Sequence, residues 1–400
     1  MQRQEVHIVK TERKIDLFSL FYRNSLIVEA AVIFIAFWIL TKGMFMSVAN
    51  LSNLIMQGAT YSIISISMCL IIITGNADLS AGRFLGMLGM IAAILIVNNP
   101  DFSPLLALSI VYVIAIIAGL WHGFWVGYMK LPAFIITLAT QLVFLGVNQL
   151  LSGGRIYGPA RGIIAEMGSG YLPSIWFKND TTLIIGAAII IAYVYLTIFK
   201  EKRTIKEGLG TANWGKVIPK MIAVCAVVFV ITMILFKHQG FAYAMLILLV
   251  LTLLIGYVSN NTKFGRYVYA IGGNIDAASL SGINVSKELM KLYVLHSVII
   301  ATAAMVCLGR LSSATVSTGN GYEFTAITGC VVGGTAITGG RGTVIGAVAG
   351  TMIMAALDNG MSVMNVDPSF QYIIRGAVLL FAIALDAYAN NRKAKSIQKA

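Results

Sequence analysis

Long apolar runs separated by short polar stretches dominate the chain, and most of the charge lies in the polar stretches. The runs show no polar/apolar alternation, so they predict helices rather than the strands of a membrane barrel. Twelve segments are predicted, at about 25–42, 57–75, 84–98, 104–128, 132–151, 181–199, 218–236, 241–258, 289–308, 325–339, 342–358 and 369–388. A hydrocarbon core of ~30 Å takes about 20 residues of straight helix. Segments 84–98 and 325–339 are short by that measure and are expected to be broken or re-entrant pieces packed inside the protein. The predicted fold is all-α: a polytopic transmembrane helical bundle of about 10–12 segments.

Composition strengthens that picture. Of 400 residues, 58% are hydrophobic and 11% charged, and the mean hydropathy is +0.84. Soluble domains carry about 25% charged residues, so lipid is expected to solvate much of this surface. The net charge of +13 does not point to nucleic acid, because the basic residues fall mostly between apolar runs, where charge sorting of loops explains them. Only Lys42, Arg155, Arg161, Lys178, Lys237 and Arg310 fall on outside segments when the N-terminus is placed in the cytoplasm; Arg375 lies within the last span. Both termini are then inside. No cleavable signal peptide is evident, and the first apolar run reads as a retained anchor. The domain reading is a cytoplasmic segment 1–24, a permease domain 25–388 with a basic loop around 200–220 and a polar loop 259–288, and a basic tail 389–400. Cys69, Cys225, Cys307 and Cys330 are scattered and suggest neither a disulfide framework nor a metal site.

Glycines recur every fourth residue at Gly82 and Gly86, at Gly119, Gly123 and Gly127, and at Gly342, Gly346 and Gly350. Such stripes let helix backbones approach closely in lipid, and tight internal packing is their expected role. Asn76, Asp78 and Ser80 lie in a polar break between two apolar runs. A carboxylate near membrane depth is costly and reads as functional. It reads equally as a helix cap or as a partner of Arg83. These three residues are the candidates for a translocation pathway. Arg375 is expected to snorkel or to pair with a carboxylate such as Asp358 or Asp386. His122 and His296 lack neighbours at ligand spacing and are assigned to the core or pathway rather than to a metal. No paired catalytic groups or hydrolase motifs stand out, so a membrane enzyme has little support. Residues 210–217 nearly form a phosphate-binding loop, but Val217 stands where a hydroxyl must reach magnesium and no strand precedes it. Leu151–Arg155 resembles an ATP-cassette signature but lies on the outside face. The chain is therefore not expected to bind ATP itself.

The stretch 264–285 is the most informative. Gly272 and Gly273 precede Asn274, a plausible N-cap; Ala277 and Ala278 follow in a small-residue turn, and Gly282 ends it after Ser281. This predicts a short helix between two spans, which reads either as an ordinary loop helix or as a flat surface suited to docking into a partner.

At these residues the chain resembles the permease subunit of ribose/galactose/xylose-type ABC sugar importers. The blocks that carry the resemblance are Ala270–Val285, Asp78–Gly82, Cys330–Thr335, Gly339–Thr343 and Gln371–Ala377. The resemblance implies a homodimer in the bacterial inner membrane, with the pathway at or near the dimer interface. It also implies an ATP-binding cassette subunit docked through Asn274–Ser281 and binding ATP and magnesium, so that no cofactor belongs to this chain, and an extracytoplasmic sugar-binding protein that delivers substrate. The helix pair at 181–236 and Leu357–Ser362 resemble the xylose and multiple-sugar branch. Thr325 stands where the family often has an aspartate. Two rivals remain: the same machinery with another small solute, and an ion-coupled secondary transporter, for which Asp78 is the candidate carboxylate.

Overall fold

A computed structural model describes residues 25–207 and 214–398. The N-terminal segment 1–24, residues 208–213 of the basic loop and near phosphate loop, and residues 399–400 lie outside the described residues. The chain order is α1 (Ser25–Leu40), α2 (Val48–Ile73), α3 (Ala81–Asn98), α4 (Pro104–Gly123, continued by a π turn at Phe124–Tyr128), α5 (Ala133–Ser152) and α6 (Gly162–Ser169). It continues with α7 (Asp180–Lys206), α8 (Trp214–Lys237), α9 (Tyr243–Asn261), α10 (Lys263–Gly273), α11 (Ile275–Leu280), α12 (Val285–Leu311), α13 (Tyr322–Val332), α14 (Val344–Val363) and α15 (Pro368–Gln398). Among the described residues no strand forms; two isolated bridges join loops.

Ten of these helices are long and apolar enough to cross a membrane, while α1 and α13 are shorter apolar helices. The protein is a multi-pass membrane protein, and the twelve predicted segments each correspond to a helix. Helix starts follow local chemistry: the side chains of Ser47, Thr262, Asn284 and Thr343 each accept a backbone N–H of the first turn.

Burial separates core from periphery. The apolar stretch of α2 is 89% buried and that of α12 78%, whereas those of α8 and α15 are 6% buried. Helix α2 packs against α14, α12, α9 and α13, and α12 also packs against α4 and α6. The inserted pair α7 and α8 packs chiefly on itself. Its exposed Ile191, Leu196, Val227 and Phe229 have the composition of a surface solvated by lipid. The glycine stripes lie where backbones approach: Gly119, Gly123 and Gly127 on Val294, Met290 and Ser286 of α12, and Gly346 and Gly350 on Gly333 and Gly329.

Of the two segments expected to be short, 84–98 lies on the 18-residue α3, long enough to cross, and only α13 is short; both helices start after irregular backbone. After α2 the chain turns at Thr74 and Gly75 and runs as irregular backbone to Ser80, where α3 begins. After α12 it runs irregularly over 312–321 to Tyr322, where α13 begins. Tyr322 lies edge-on against Tyr61, near the middle of α2, with centroids 4.7 Å apart. Gly319 and Glu323 lie directly against Gly82. The starts of α3 and α13 therefore meet inside the bundle. The triplet Thr74-Gly75-Asn76 recurs as Thr318-Gly319-Asn320 ahead of the second start. The two units thus approach the same depth from opposite ends, one from the 259–288 end and the other from the 152–180 end.

Replacing Gly350 by leucine would drive a side chain into Gly329 and Gly333, an overpacking that costs about 1–3 kcal/mol or more. Gly350→Leu is expected to lose the monodisperse peak in detergent size-exclusion chromatography. Gly376→Leu, which meets nothing within 4 Å at its Cβ, is expected to keep it.

Candidate functional site

The polar break ahead of α3 is built to hold irregular backbone away from water. The α2 terminus closes with Gly75 at φ 77°, Gly75 N donating to Ile72 O at 2.8 Å and Asn76 N to Ile71 O at 3.3 Å. Asn76 Nδ2 donates to Thr74 Oγ1 at 3.0 Å. The Leu79 amide donates to Thr137 Oγ1 at 3.2 Å, so α5 supplies the acceptor that an interrupted helix leaves missing.

Asp78 is 1% exposed. Its Oδ1 accepts from the Ser80 amide at 2.7 Å and the Ser80 hydroxyl at 2.6 Å. Its Oδ2 lies 3.2 Å from His296 Nε2 on α12, and His296 Nδ1 shares a 2.8 Å hydrogen bond with Ser67 Oγ on α2. The sequence offered Arg83 as partner, and that expectation is corrected here: Arg83 turns away and donates to Val316 O at 3.3 Å. The reason is geometric, because a side chain one helical turn along α3 points at the second break, whereas α12 runs beside Asp78. Asp78, Ser80, Ser67 and His296 therefore clamp α2, the break and α12 together. Asn76 is adjacent but half-buried, outside the clamp.

Sequence reading missed Glu323. It is fully buried, and its carboxylate meets no side-chain partner among the described residues. It lies in the first turn of α13, beside the Gly321 and Glu323 amides, where a helix dipole favours negative charge. The repeated Thr-Gly-Asn triplet, each time followed by an acid, is the signal that would have found it. The Thr325 and Thr351 hydroxyls are likewise buried without partners. His122 is buried against Phe144 and Tyr293, with neither ring nitrogen partnered. Among the described residues no three His, Cys, Asp or Glu gather in a group able to hold a metal. Arg375 forms an ion pair with Asp358 at 2.7 Å and stands over the Tyr372 ring. Asn320 donates to the Tyr372 hydroxyl at 3.2 Å, so α15 braces the second break.

At the 259–288 end, Asn274 Oδ1 accepts from the Ala277 amide at 2.9 Å, starting α11. Gly282, with φ 85°, ends it. Gly273, Asn274, Ala277, Ser281 and Gly282 are exposed, whereas Ala278 is turned into the chain at 5% exposure. Leu280, at 91%, is the outermost apolar side chain of the turn. Gly272 lies against the Ile73 carbonyl and Gly340, and Gly340 N donates to the same carbonyl at 2.8 Å. Any side chain at Gly272 would fill that joint. Tyr269 adds a hydrogen bond to Gly342 O at 2.8 Å. The end of α10 is thus seated on the end of α2 and on the turn ahead of α14.

At the 152–180 end a cleft of ≈ 450 Å³ is lined by Asn53, Met56 and Gln57 of α2, Ser169, Tyr171, Gln239 and Arg310. Backbone pairing between 170–172 and 241–243 holds Tyr171 over it.

Apolar helices whose starts meet inside a bundle, with buried polar groups at the meeting point, are an arrangement used by membrane transport proteins. The chain belongs to the family described as branched-chain amino acid transport system / permease component, whose model matches residues 50–162 and 156–383. It is 36% identical over 368 residues to the xylose transport system permease protein XylH of Haemophilus influenzae, covering 92% of this chain and 96% of that one. It is 37% identical to XylH of Escherichia coli, covering 88% of each. The galactose/methyl galactoside import permease protein MglC of Escherichia coli is 31% identical over 362 residues, 87% of this chain and 89% of MglC. No solved structure matches.

Removing the Asp78 carboxylate strands Ser80 and His296. Asp78→Ala is expected to destabilise the protein by about 1–3 kcal/mol, the cost of leaving the buried Ser80 donors unpaired. Asp78→Asn, which keeps an acceptor for Ser80, should cost about half as much. Thermal unfolding in detergent reads the difference, and equal midpoints for Asp78→Ala and the parent would mean that no clamp operates at this position.

Proposed function

We propose that this chain is the membrane-spanning subunit of an ATP-driven importer that carries a monosaccharide, xylose or a related aldose, across the bacterial inner membrane. Near full-length similarity to two xylose permeases at 36–37% identity carries the reading. The subunit works as a homodimer with both termini cytoplasmic and lipid on its outer faces. An ATP-binding cassette partner supplies the nucleotide chemistry and holds ATP and magnesium, and an extracytoplasmic sugar-binding protein delivers substrate to the 152–180 end.

Helix α11 is the part the ATPase grips, with Gly273, Asn274, Ala277, Ser281 and Gly282 forming its exposed rim. Leu280 extends that surface, while Ala278 supports it from beneath. Movement of α11 reaches α2 through Gly272, because no side chain cushions Gly272 from Ile73 and Gly340. The C-terminal end of α2 leads into the Asn76–Asp78–Ser80 break, so a shift there loads the Asp78–His296 clamp. The energy comes from differential binding of ATP to the two states of the partner dimer, transmitted mechanically.

A second reading, an ion-coupled transporter, is favoured by one observation: two buried carboxylates, Asp78 and Glu323, at the meeting point of the breaks. Proteoliposomes that contain the chain, its ATPase and the sugar-binding protein separate the two. D-xylose accumulation should require ATP and persist when an uncoupler collapses the proton gradient. Accumulation by the chain with no second polypeptide would overturn the importer reading. In the same system Ala277→Glu is expected to lower uptake at least 10-fold and to reduce co-purification of the ATPase, with membrane abundance unchanged. Retention of both would remove α11 from the coupling role.

A further inference from the structure

The cleft at the 152–180 end has a chemistry that selects its occupant. Its polar lining consists of amides from Asn53, Gln57 and Gln239, hydroxyls from Ser169 and Tyr171, and the Arg310 guanidinium. No carboxylate takes part. An amine or a zwitterionic amino acid would find no counter-charge for its ammonium group there, and a single Met56 is too little apolar surface to receive a branched side chain. Amides and hydroxyls both donate and accept, which is what a ligand carrying several hydroxyl groups requires.

The lining also has unspent hydrogen-bonding capacity. Arg310 Nε is buried without a partner, and no carboxylate lies within ion-pair distance of this guanidinium among the described residues. A partly buried cation without acceptors is costly, and ligand oxygens would relieve that cost. Tyr171 gives its hydroxyl hydrogen only to Met56 Sδ, at 3.2 Å, a weak acceptor that a ligand oxygen would replace. Gln57 Nε2 donates to the Tyr61 hydroxyl at 3.2 Å, leaving its carbonyl oxygen and second hydrogen free. The volume, ≈ 450 Å³, lies within the range of small-molecule sites. Beneath the cleft, Gln57 leads to Tyr61, and Tyr61 packs on Tyr322 at the start of α13. The Tyr61–Tyr322 contact therefore separates the cleft from the point where the starts of α3 and α13 meet.

We infer that this cleft is a binding site for a neutral polyhydroxylated solute, with Gln57 and Arg310 as its principal hydrogen-bonding groups. The inference rests on the importer reading and adds to it where the solute is received and why amino acids are refused.

Saturation-transfer NMR on the intact permease–ATPase complex in nanodiscs, without binding protein, tests it with D-xylose, D-glucuronate and L-leucine as probes. D-xylose is expected to give transfer, and L-leucine none. Gln57→Leu, Arg310→Met and Gln239→Leu should each weaken the xylose signal about 10-fold, the effect of one lost hydrogen bond to a well-placed group. Co-purification of the ATPase at the parent yield identifies which variants have folded, and Gln239→Leu, in an exposed loop, guards against loss of the other two. Leucine transfer equal to that of xylose, or xylose transfer unchanged in folded variants, overturns the proposal. Transfer from glucuronate far exceeding that from xylose also overturns it, by making the cleft an anion site. A companion uptake assay is run across binding-protein concentrations. Variants whose defect vanishes at high binding-protein concentration would make the cleft a docking surface for that protein and refute the solute site. If the parent complex imports no sugar while still giving xylose transfer, the importer reading fails and the site stands.

Discussion

Irregular backbone inside an apolar bundle is the constraint on which this architecture depends. Residues 74–80 and 312–321 satisfy part of their backbone locally and leave other amides and carbonyls in need of partners that lipid does not offer. The protein meets the demand from neighbouring elements. Thr137 of α5 serves the Leu79 amide, Arg83 serves the Val316 carbonyl, and Tyr157 pairs in both directions with Ala314. These bonds require α3, α5, the loop carrying Tyr157 and the 312–321 segment to pack in one arrangement. The breaks thus specify the bundle instead of weakening it, since sliding any of these helices would leave buried polar groups unpaired at about 1–3 kcal/mol each.

The Asp78 clamp is the densest case. A carboxylate at such depth needs a partner for each oxygen: Oδ1 accepts from Ser80 of its own segment, and Oδ2 lies 3.2 Å from His296 Nε2 of α12. Glu323 is the contrast. It stands at the corresponding start of α13, in the favourable field of a helix N-terminus, yet has no side-chain partner. The two units share one feature, an acid at the start of an apolar helix, but differ in its partners.

Much of this was legible in the sequence because it depends on local chemistry. Apolar run length marked the spans, including the short run at 325–339, which falls partly on the 11-residue α13. Asn274 and Gly282 announced α11, because an N-cap and a left-handed stop act within one helical turn. Arg375 demanded a buried carboxylate, and Asp358 was one of two on offer. Long-range partners were not legible. His296 lies far along the chain from Asp78, and no spacing connects them. Arg83, close to Asp78 along the chain, was the local choice and the incorrect one. The cleft was invisible for the same reason: Gln57, Tyr171, Gln239 and Arg310 come from four separate stretches, each an ordinary polar position where it stands.

Helix α2 connects these features. Its first turns carry Asn53, Met56 and Gln57 into the cleft. Its middle supplies Tyr61 to the ring contact with Tyr322, and farther along Ser67 holds His296. Its last carbonyl, that of Ile73, receives Gly340 and abuts Gly272. Twenty-six residues at ~1.5 Å each give a rod roughly 39 Å long. A buried rod that touches the cleft at one end and the α10–α11 joint at the other does not need a relay of side chains to link them. A tilt imposed at Ile73 moves Gln57 by rigid-body geometry.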